Sequence, residues 1–184
     1  GLEAVDVSGE VSSTNGVPVV VERAMYLDRP GERFAAGHAA AGVTELATTW
    51  LLAEGATGDF FDEYVLIANP DERAAEVTVT YALEDGTTVS RQHAVAPRSR
   101  HTILVDLEDP RLASTAASAR VQVTNGVPVA VERAMWWPGP TPATWHEAHV
   151  SAGARAAALR WAVAEGEAGG ADRAATYLLV ANTA

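Results

Sequence analysis

Short apolar runs separated by turn-forming residues cover most of this 184-residue chain. Between Trp50 and residue 137, apolar and polar positions alternate over short stretches, and Gly, Pro, Asn or Asp separates one stretch from the next. A period of two residues is typical of β-strands that bury one face. The pattern predicts an all-β fold with seven strands, at 46–53, 63–69, 75–83, 87–95, 100–106, 117–124 and 127–137.

The sequence contains an internal repeat. Residues 14–25 read TNGVPVVVERAM and residues 124–135 read TNGVPVAVERAM, which is an offset of 110 residues. The flanks correspond as well: LLAEG at 51–55 matches AVAEG at 162–166, and EYVLIAN at 63–69 matches TYLLVAN at 176–182. Trp50 corresponds to Trp161. Because the similarity continues beyond the motif, it indicates a duplicated structural unit. A tandem repeat of about 110 residues fits a seven-strand, Ig-like antiparallel β-sandwich.

The phase of the repeat predicts the domain organisation. We expect one complete module at 45–138. Residues 1–44 are then the second half of a repeat with a connecting loop, and residues 139–184 are a linker with the first half of the next repeat. Two strands alone are marginally stable. We expect the halves to pair within the chain or to be completed outside this sequence; the alternative is strand exchange between neighbouring molecules, which would build a head-to-tail fibre.

Asn-Gly pairs begin both copies of the motif. The pairs Asn15-Gly16 and Asn125-Gly126 predict hairpins with type I′ turns, in which both central residues have positive φ. Asp85-Gly86 predicts another hairpin between 75–83 and 87–95.

The strand after each turn carries adjacent charges. Alternation places Glu22 and Arg23 on opposite faces of their strand, and likewise Glu132 and Arg133. Since adjacent strand residues do not converge on one point, we interpret them as structural anchors that bond to neighbouring strands or modules.

Composition narrows the functional classes. The chain has no Cys, which excludes a disulfide framework and a cysteine nucleophile, and it has no Lys. A formal charge of −11 argues against a nucleic-acid partner, because a phosphate backbone requires a basic surface. Acidic surfaces are typical of solubility outside the cell, and no apolar run approaches the roughly 18–20 residues that span a bilayer. We expect an extracellular or cell-surface protein that does not span the membrane.

The sequence offers only weak metal candidates. His146, Glu147 and His149 in WHEAH could supply nitrogen and oxygen ligands, but their spacing is not that of HExxH, and the corresponding FAAGH retains only His38. Two acidic loops could bind calcium, although neither follows a known calcium pattern. We therefore expect no cofactor, with calcium as the open alternative at Asp59, Asp62 and Glu63 or at Asp106, Glu108 and Asp109.

Three tryptophans surround a proline-rich stretch. Trp136 and Trp137 precede PGPTPAT, and Trp145 follows it. Exposed indole rings could stack on sugars. We expect packing between modules instead, with a carbohydrate-binding surface as the alternative.

Long segments, among them AEGATGDFFDEYVLIANPDERAAEVTVTY and APRSRHTILVDLEDPRLASTAAS, resemble tandem Ig-like repeats of large secreted or surface proteins from GC-rich bacteria. The resemblance implies a stalk, spacer or adhesive module whose partners are neighbouring repeats or identical subunits, and it brings no catalytic residues. We expect a non-enzymatic extracellular structural or adhesive module. The alternatives are a fibre subunit completed by strand exchange and a carbohydrate-binding module that uses the three tryptophans to hold a surface glycan.

Overall fold

The structure is a computed structural model that describes residues 5–138, 145–171 and 174–182. The backbone is built almost entirely from strands, with two short 3-10 helices at Val105–Leu107 and Pro110–Leu112. The strands in chain order are β1 (Glu22–Arg29), β2 (Glu32–Ala41), β3 (Thr49–Leu52), β4 (Asp62–Asn69), β5 (Ala75–Leu83), β6 (Thr88–Val95), β7 (Ser99–Leu104), β8 (Ala117–Val123), β9 (Ala130–Pro138) and β10 (Trp145–Ala152).

Two antiparallel four-stranded sheets enclose the main core. Their strand orders are β3-β8-β5-β6 and β10-β9-β4-β7. Alternate residues of each strand point between the sheets, and Trp50, Val65, Val79, Val121 and Val131 are all buried there. Each of the seven predicted strands is present within a few residues of its predicted position. The predicted all-β, sandwich-like character is therefore confirmed.

The strand order differs from that of an Ig domain. In an Ig sandwich the first strand pairs with the second and the last with the sixth. In this chain β3, the first strand of the module, pairs with β8, and β9 pairs with β4. Hydrophobic alternation specifies which face of a strand is buried but not which strand lies beside it. The sequence pattern could not distinguish the two arrangements.

A hairpin made of β1 and β2 forms a third layer. Leu27 of β1 packs with Tyr64 of β4 and Trp136 of β9 on the outer face of the sheet β10-β9-β4-β7. As a result β9 is covered on both of its faces. The sequence pattern does not predict β2, because the stretch FAAGHAAA consists mainly of Ala and Gly and shows no alternation.

The Asn-Gly turns differ from their prediction. Asn125-Gly126 connects β8 to β9, which lie in different sheets, so the predicted hairpin is wrong. Gly126 has a φ of 78° and Gly16 a φ of 74°, but neither asparagine is among the residues with positive φ, so the turns are not type I′.

The Asn125 side chain instead bonds the crossover between β8 and β9 to the start of β5. Its Oδ1 accepts from the Glu76 amide at 3.2 Å, and its Nδ2 donates to the Ala74 carbonyl at 2.8 Å. Among the described residues the contacts of the Asn15 side chain are local, and its Oδ1 accepts from the Val17 amide at 3.1 Å. The Asn side chain is therefore a structural anchor in one copy of the motif and a local turn former in the other.

The hairpin predicted at Asp85-Gly86 is confirmed, since β5 and β6 pair antiparallel. Its loop has three residues rather than two. The Gly86 amide donates to the Leu83 carbonyl at 3.0 Å, the Leu83 amide donates to the Thr87 carbonyl at 2.9 Å, and Gly86 has a φ of 81°. Only this third position requires the conformational freedom of glycine.

Residues 153–182 do not form the strands that the repeat predicts. In the described part of this segment the ladder contacts are isolated bridges, one of which joins Ala154 to Leu51 at the edge of β3. Trp161 is exposed although the corresponding Trp50 is buried. In the described residues no strand of the predicted half 1–44 pairs with one of the predicted half 139–184. The strand β10, which the repeat assigns to the second half, pairs instead with β9 of the predicted module 45–138.

Candidate functional site

Arg133 lies at the centre of a largely buried cluster of charged side chains. It projects from β9 on the same face as Val131 and Met135, which places the guanidinium inside the sandwich with 5% of its side chain exposed. Its Nη1 donates to the Glu54 carbonyl at 2.8 Å, and its Nη2 lies 2.7 Å from Glu54 Oε2. The guanidinium is thus held by both the backbone and the side chain of one residue.

Glu54 also faces His149 of β10, whose Nε2 lies 3.3 Å from Glu54 Oε2. The His149 imidazole and the Arg133 guanidinium hold the pKa of Glu54 below its usual value, against the opposing effect of partial burial. The carboxylate therefore stays ionised and is shared by two basic groups. The His149 ring also meets Trp137 edge to face, at 5.4 Å between centroids.

Glu63 is the most deeply buried acid of the cluster. Burial raises its pKa to about 8, with Asp106 and Glu54 adding to the shift and Arg133 opposing it. At neutral pH the group is therefore mostly protonated. A Cβ built on Gly55 would lie 2.6 Å from both Glu63 carboxyl oxygens and 2.5 Å from the Ala117 carbonyl oxygen. The repeated AEG sequence thus ends in glycine here because the Glu63 carboxyl fills the space of a side chain.

Asp106 joins the two acidic loops. Its Oδ1 accepts from the Gly58 amide at 3.3 Å and its Oδ2 accepts from the Glu63 amide at 3.2 Å. Burial raises the pKa of Asp106.

Two further carboxylates considered for calcium, Glu108 and Asp109, face protein donors. Glu108 Oε2 lies 3.0 Å from His93 Nε2, and Asp109 bonds to Arg91 and Arg111. Within the residues that the structure describes, no three His, Asp or Glu side chains are grouped as a metal site.

A second polar chain links three elements. His101 of β7 lies 3.3 Å from His93 of β6, and His93 in turn approaches Glu108. Burial and the neighbouring His93 lower the pKa of His101. The sequence carries no signal for this chain, since its members are far apart and only the packing of β6 on β7 brings them together.

The WHEAH residues do not converge in the described structure. Glu147 Oε1 accepts from the Gly37 amide of β2 at 3.4 Å, whereas His149 approaches Glu54. The side chain of His146 lies outside the described part of the chain. Glu147 therefore contacts the added hairpin, and His149 belongs to the Arg133 cluster.

Trp136 and Trp137 do not form a shared stacking surface. They are adjacent on β9 and point to opposite faces. Trp136 is 7% exposed and meets His38 of β2 edge to face, while Trp137 packs edge to face on Phe61. The side chain of Trp145 lies outside the described residues. A sugar platform that includes both Trp136 and Trp137 is wrong, because the third layer covers Trp136.

The charged residues of the two motif copies have different partners. Arg23 Nη1 of the first copy lies 2.6 Å from Glu132 Oε2 of the second copy, so this ion pair joins the hairpin to the sandwich. Arg133 turns inward to Glu54. Glu22 is exposed at the start of β1. Sequence reasoning missed Glu54 and Glu63 as partners, although the recurrence of AEG at 53–55 and 164–166 was a usable signal for Glu54.

These features define a β-sandwich module with an internally neutralised charge cluster and a hairpin stacked on one sheet. No family model matches the sequence, and a search of curated proteins finds no significant match. Among solved structures, the chain is similar to the crystal structure of Thermotoga maritima 1070, with a TM-score of 0.51 and 18% identity over 60% of this chain and 96% of that chain. A weaker likeness is to the Anabaena sensory rhodopsin transducer, with a TM-score of 0.43 and 21% identity over 50% of this chain and 91% of that one. The first likeness shows the fold alone.

Across the described residues, no helix has the length and apolar character needed to cross a membrane.

Proposed function

We propose that this protein is a non-enzymatic structural module, a tandem-repeat β-sandwich that acts outside the cell as a spacer or adhesive contact. The observation that carries the proposal is the 2.6 Å ion pair between Arg23 and Glu132. It joins one copy of the repeated motif to the other, so the most similar parts of the two repeats are in direct contact between the layers.

The second Arg of the motif supports the same function. A group that binds or transforms a ligand has to reach that ligand, yet Arg133 is almost fully enclosed, and both of its terminal nitrogens face Glu54. Breaking a buried ion pair by removing one partner is strongly destabilising. The cluster is therefore suited to stabilising the module. An extracellular location is supported by the acidic composition and by the resemblance to surface repeats.

Single-molecule pulling tests the spacer role. The chain has no natural Cys, so handles can be attached through Leu46→Cys, before β3, and Ser151→Cys, near the end of β10, both at exposed positions. We expect one cooperative unfolding step that releases roughly 350 Å, from about 3.5 Å for each of the residues between the handles. Val20→Ala is the matched control, because it makes the two motifs identical at an exposed position. Gradual extension at low force would contradict the spacer role.

A further inference from the structure

The strand β1 has an open edge at the position where its repeat equivalent has a partner. In the complete module β9 is flanked by β10 on one edge and β4 on the other. In the described residues its equivalent β1 pairs only with β2, which corresponds to β10. An unpaired edge exposes amide and carbonyl groups that can template another strand. The missing neighbour is the equivalent of β4.

Side chains on β1 and on the residues just before it are exposed where their equivalents are buried. Met25 is 42% exposed, whereas Met135 at the corresponding position is 1% exposed. Val19 and Val21 are also exposed, although Val129 and Val131 are fully buried. The first copy of the motif thus has the apolar sequence of a buried strand, but in the described residues β1 has a neighbouring strand on one edge only.

The segment 176–182 carries the sequence equivalent of β4 and is exposed as well. Val180 is 90% exposed, while Ile67 at the corresponding position is 1% exposed. Leu178 is exposed although Val65, its equivalent, is fully buried. The same chain therefore contains both the open edge of β1 and a segment, 176–182, with the sequence of the strand that would pair with it. Both expose apolar side chains to water.

We propose that residues 176–181 of one molecule bind as a β-strand along β1 of a second copy of this chain. The pairing of β4 with β9 gives the register, since Tyr64 lies opposite Ala134 and Ile67 opposite Val131. In the intermolecular pair Tyr177 therefore lies opposite Ala24, and Val180 opposite Val21.

The chain's own segment lies on the wrong side of the sandwich for this pairing. The β1–β2 hairpin covers the outer face of the sheet β10-β9-β4-β7. Ala181 and Asn182 instead line a shallow pocket with Leu51, Thr80 and Ser118 on the other sheet. The sandwich separates the two elements, so a second molecule is the occupant that reaches the edge without rearrangement.

Two polar residues, His38 and Glu165, are also consistent with a second copy of the chain as the partner. Both ring nitrogens of His38 are buried without a hydrogen-bond partner among the described residues. Its equivalent, His149, faces Glu54, and the equivalent of Glu54 is Glu165, which is exposed. Glu165 precedes the incoming segment, so docking of that segment brings a carboxylate towards His38, while Arg23 keeps its ion pair with Glu132.

The inference deepens the proposed structural role and rests on it, because it names the partner that extends one module into a chain. Two variants test it by complementation. Leu178→Asp with Val180→Asp disables the donor strand, and Val21→Asp with Met25→Asp disables the acceptor edge. All four positions are exposed, so each variant should retain the far-ultraviolet circular dichroism and melting temperature of the unaltered protein.

Light scattering gives the readout. We expect the mass of the unaltered chain to rise with concentration above that of the 19.3 kDa monomer, while each variant alone stays monomeric. An equimolar mixture of the two variants should form dimers and stop there, because it contains one working donor and one working acceptor. Phe60→Asp, at an exposed position on the sandwich, is the control and should assemble normally.

An unaltered chain that stays monomeric at all concentrations would overturn the inference. So would a mixture that stays monomeric or grows beyond the dimer. Pulling experiments are made on single molecules, so failure of assembly is distinguishable from failure of the spacer role.

Discussion

Removing the Glu54 carboxylate should destabilise the sandwich through the buried Arg133. The variant Glu54→Ala keeps the backbone carbonyl that accepts from Arg133 Nη1 but removes the carboxylate 2.7 Å from Nη2. Leaving a buried charge unpaired costs about 3–5 kcal/mol. The Glu54 side chain is 35% exposed, which lowers the expected loss to about 2–3 kcal/mol because water screens the pair.

The assay is equilibrium unfolding followed by circular dichroism at low protein concentration. For a chain of this size, the loss corresponds to a fall of about 5–10 °C in melting temperature. The repeat offers a matched control, since Glu165 occupies the corresponding AEG sequence in an exposed segment. Glu165→Ala should change the free energy of unfolding by less than about 0.5 kcal/mol. Equal effects of the two substitutions would refute the assignment of Glu54 as the partner that stabilises buried Arg133.

Three further outcomes are expected. Glu132→Ala should lower the melting temperature and increase amide exchange in β1 and β2, because it removes the contact to Arg23; unchanged exchange would show that the ion pair does not hold the hairpin. Gly55→Ala should be strongly destabilising and Gly9→Ala neutral, since a Cβ meets backbone and carboxyl oxygens at the first position and nothing within 4 Å at the second. The raised pKa of Glu63 means that the folded state binds its proton more tightly, so this group's stabilisation falls as pH rises from about 4.5 to about 8. Glu63→Gln should flatten that dependence in urea titrations made across the range, and an unaltered profile would contradict the burial of a protonated carboxyl.

Local pattern was sufficient to locate the strands of the complete module. The alternation in VTVTYAL and the run EYVLIAN correspond to β5 and β4, because one-residue shifts would expose their apolar faces. Pattern was not sufficient for strand order. The turn at Asn125-Gly126 has the sequence of a hairpin but crosses between sheets, and only the long-range pairing of β9 with β4 decides that.

In the candidate site, too, local sequence pattern identified residues but not their long-range partners. The Glu-Arg pair of the motif was recognisable as a set of anchors, but its partners were not, since Arg133 reaches Glu54 from a distant part of the chain. The spacing of WHEAH made it only a weak metal candidate, and the fold directs His149 to a carboxylate and Glu147 to the hairpin. The second strand of the hairpin, β2, escaped prediction because alanine and glycine carry little periodic signal.

We infer that the repeated motif forms a structural strand in both copies. In the second copy, β9, it is paired on both edges, and in the first copy, β1, one edge is open to a partner strand. Hydrogen exchange measured by mass spectrometry tests it within one molecule, by comparing the amides of 130–135 with those of 20–25. We predict strong protection of 130–135 at every protein concentration, and weak protection of 20–25 that rises as the concentration increases. Equal protection of both copies in dilute solution would contradict the account.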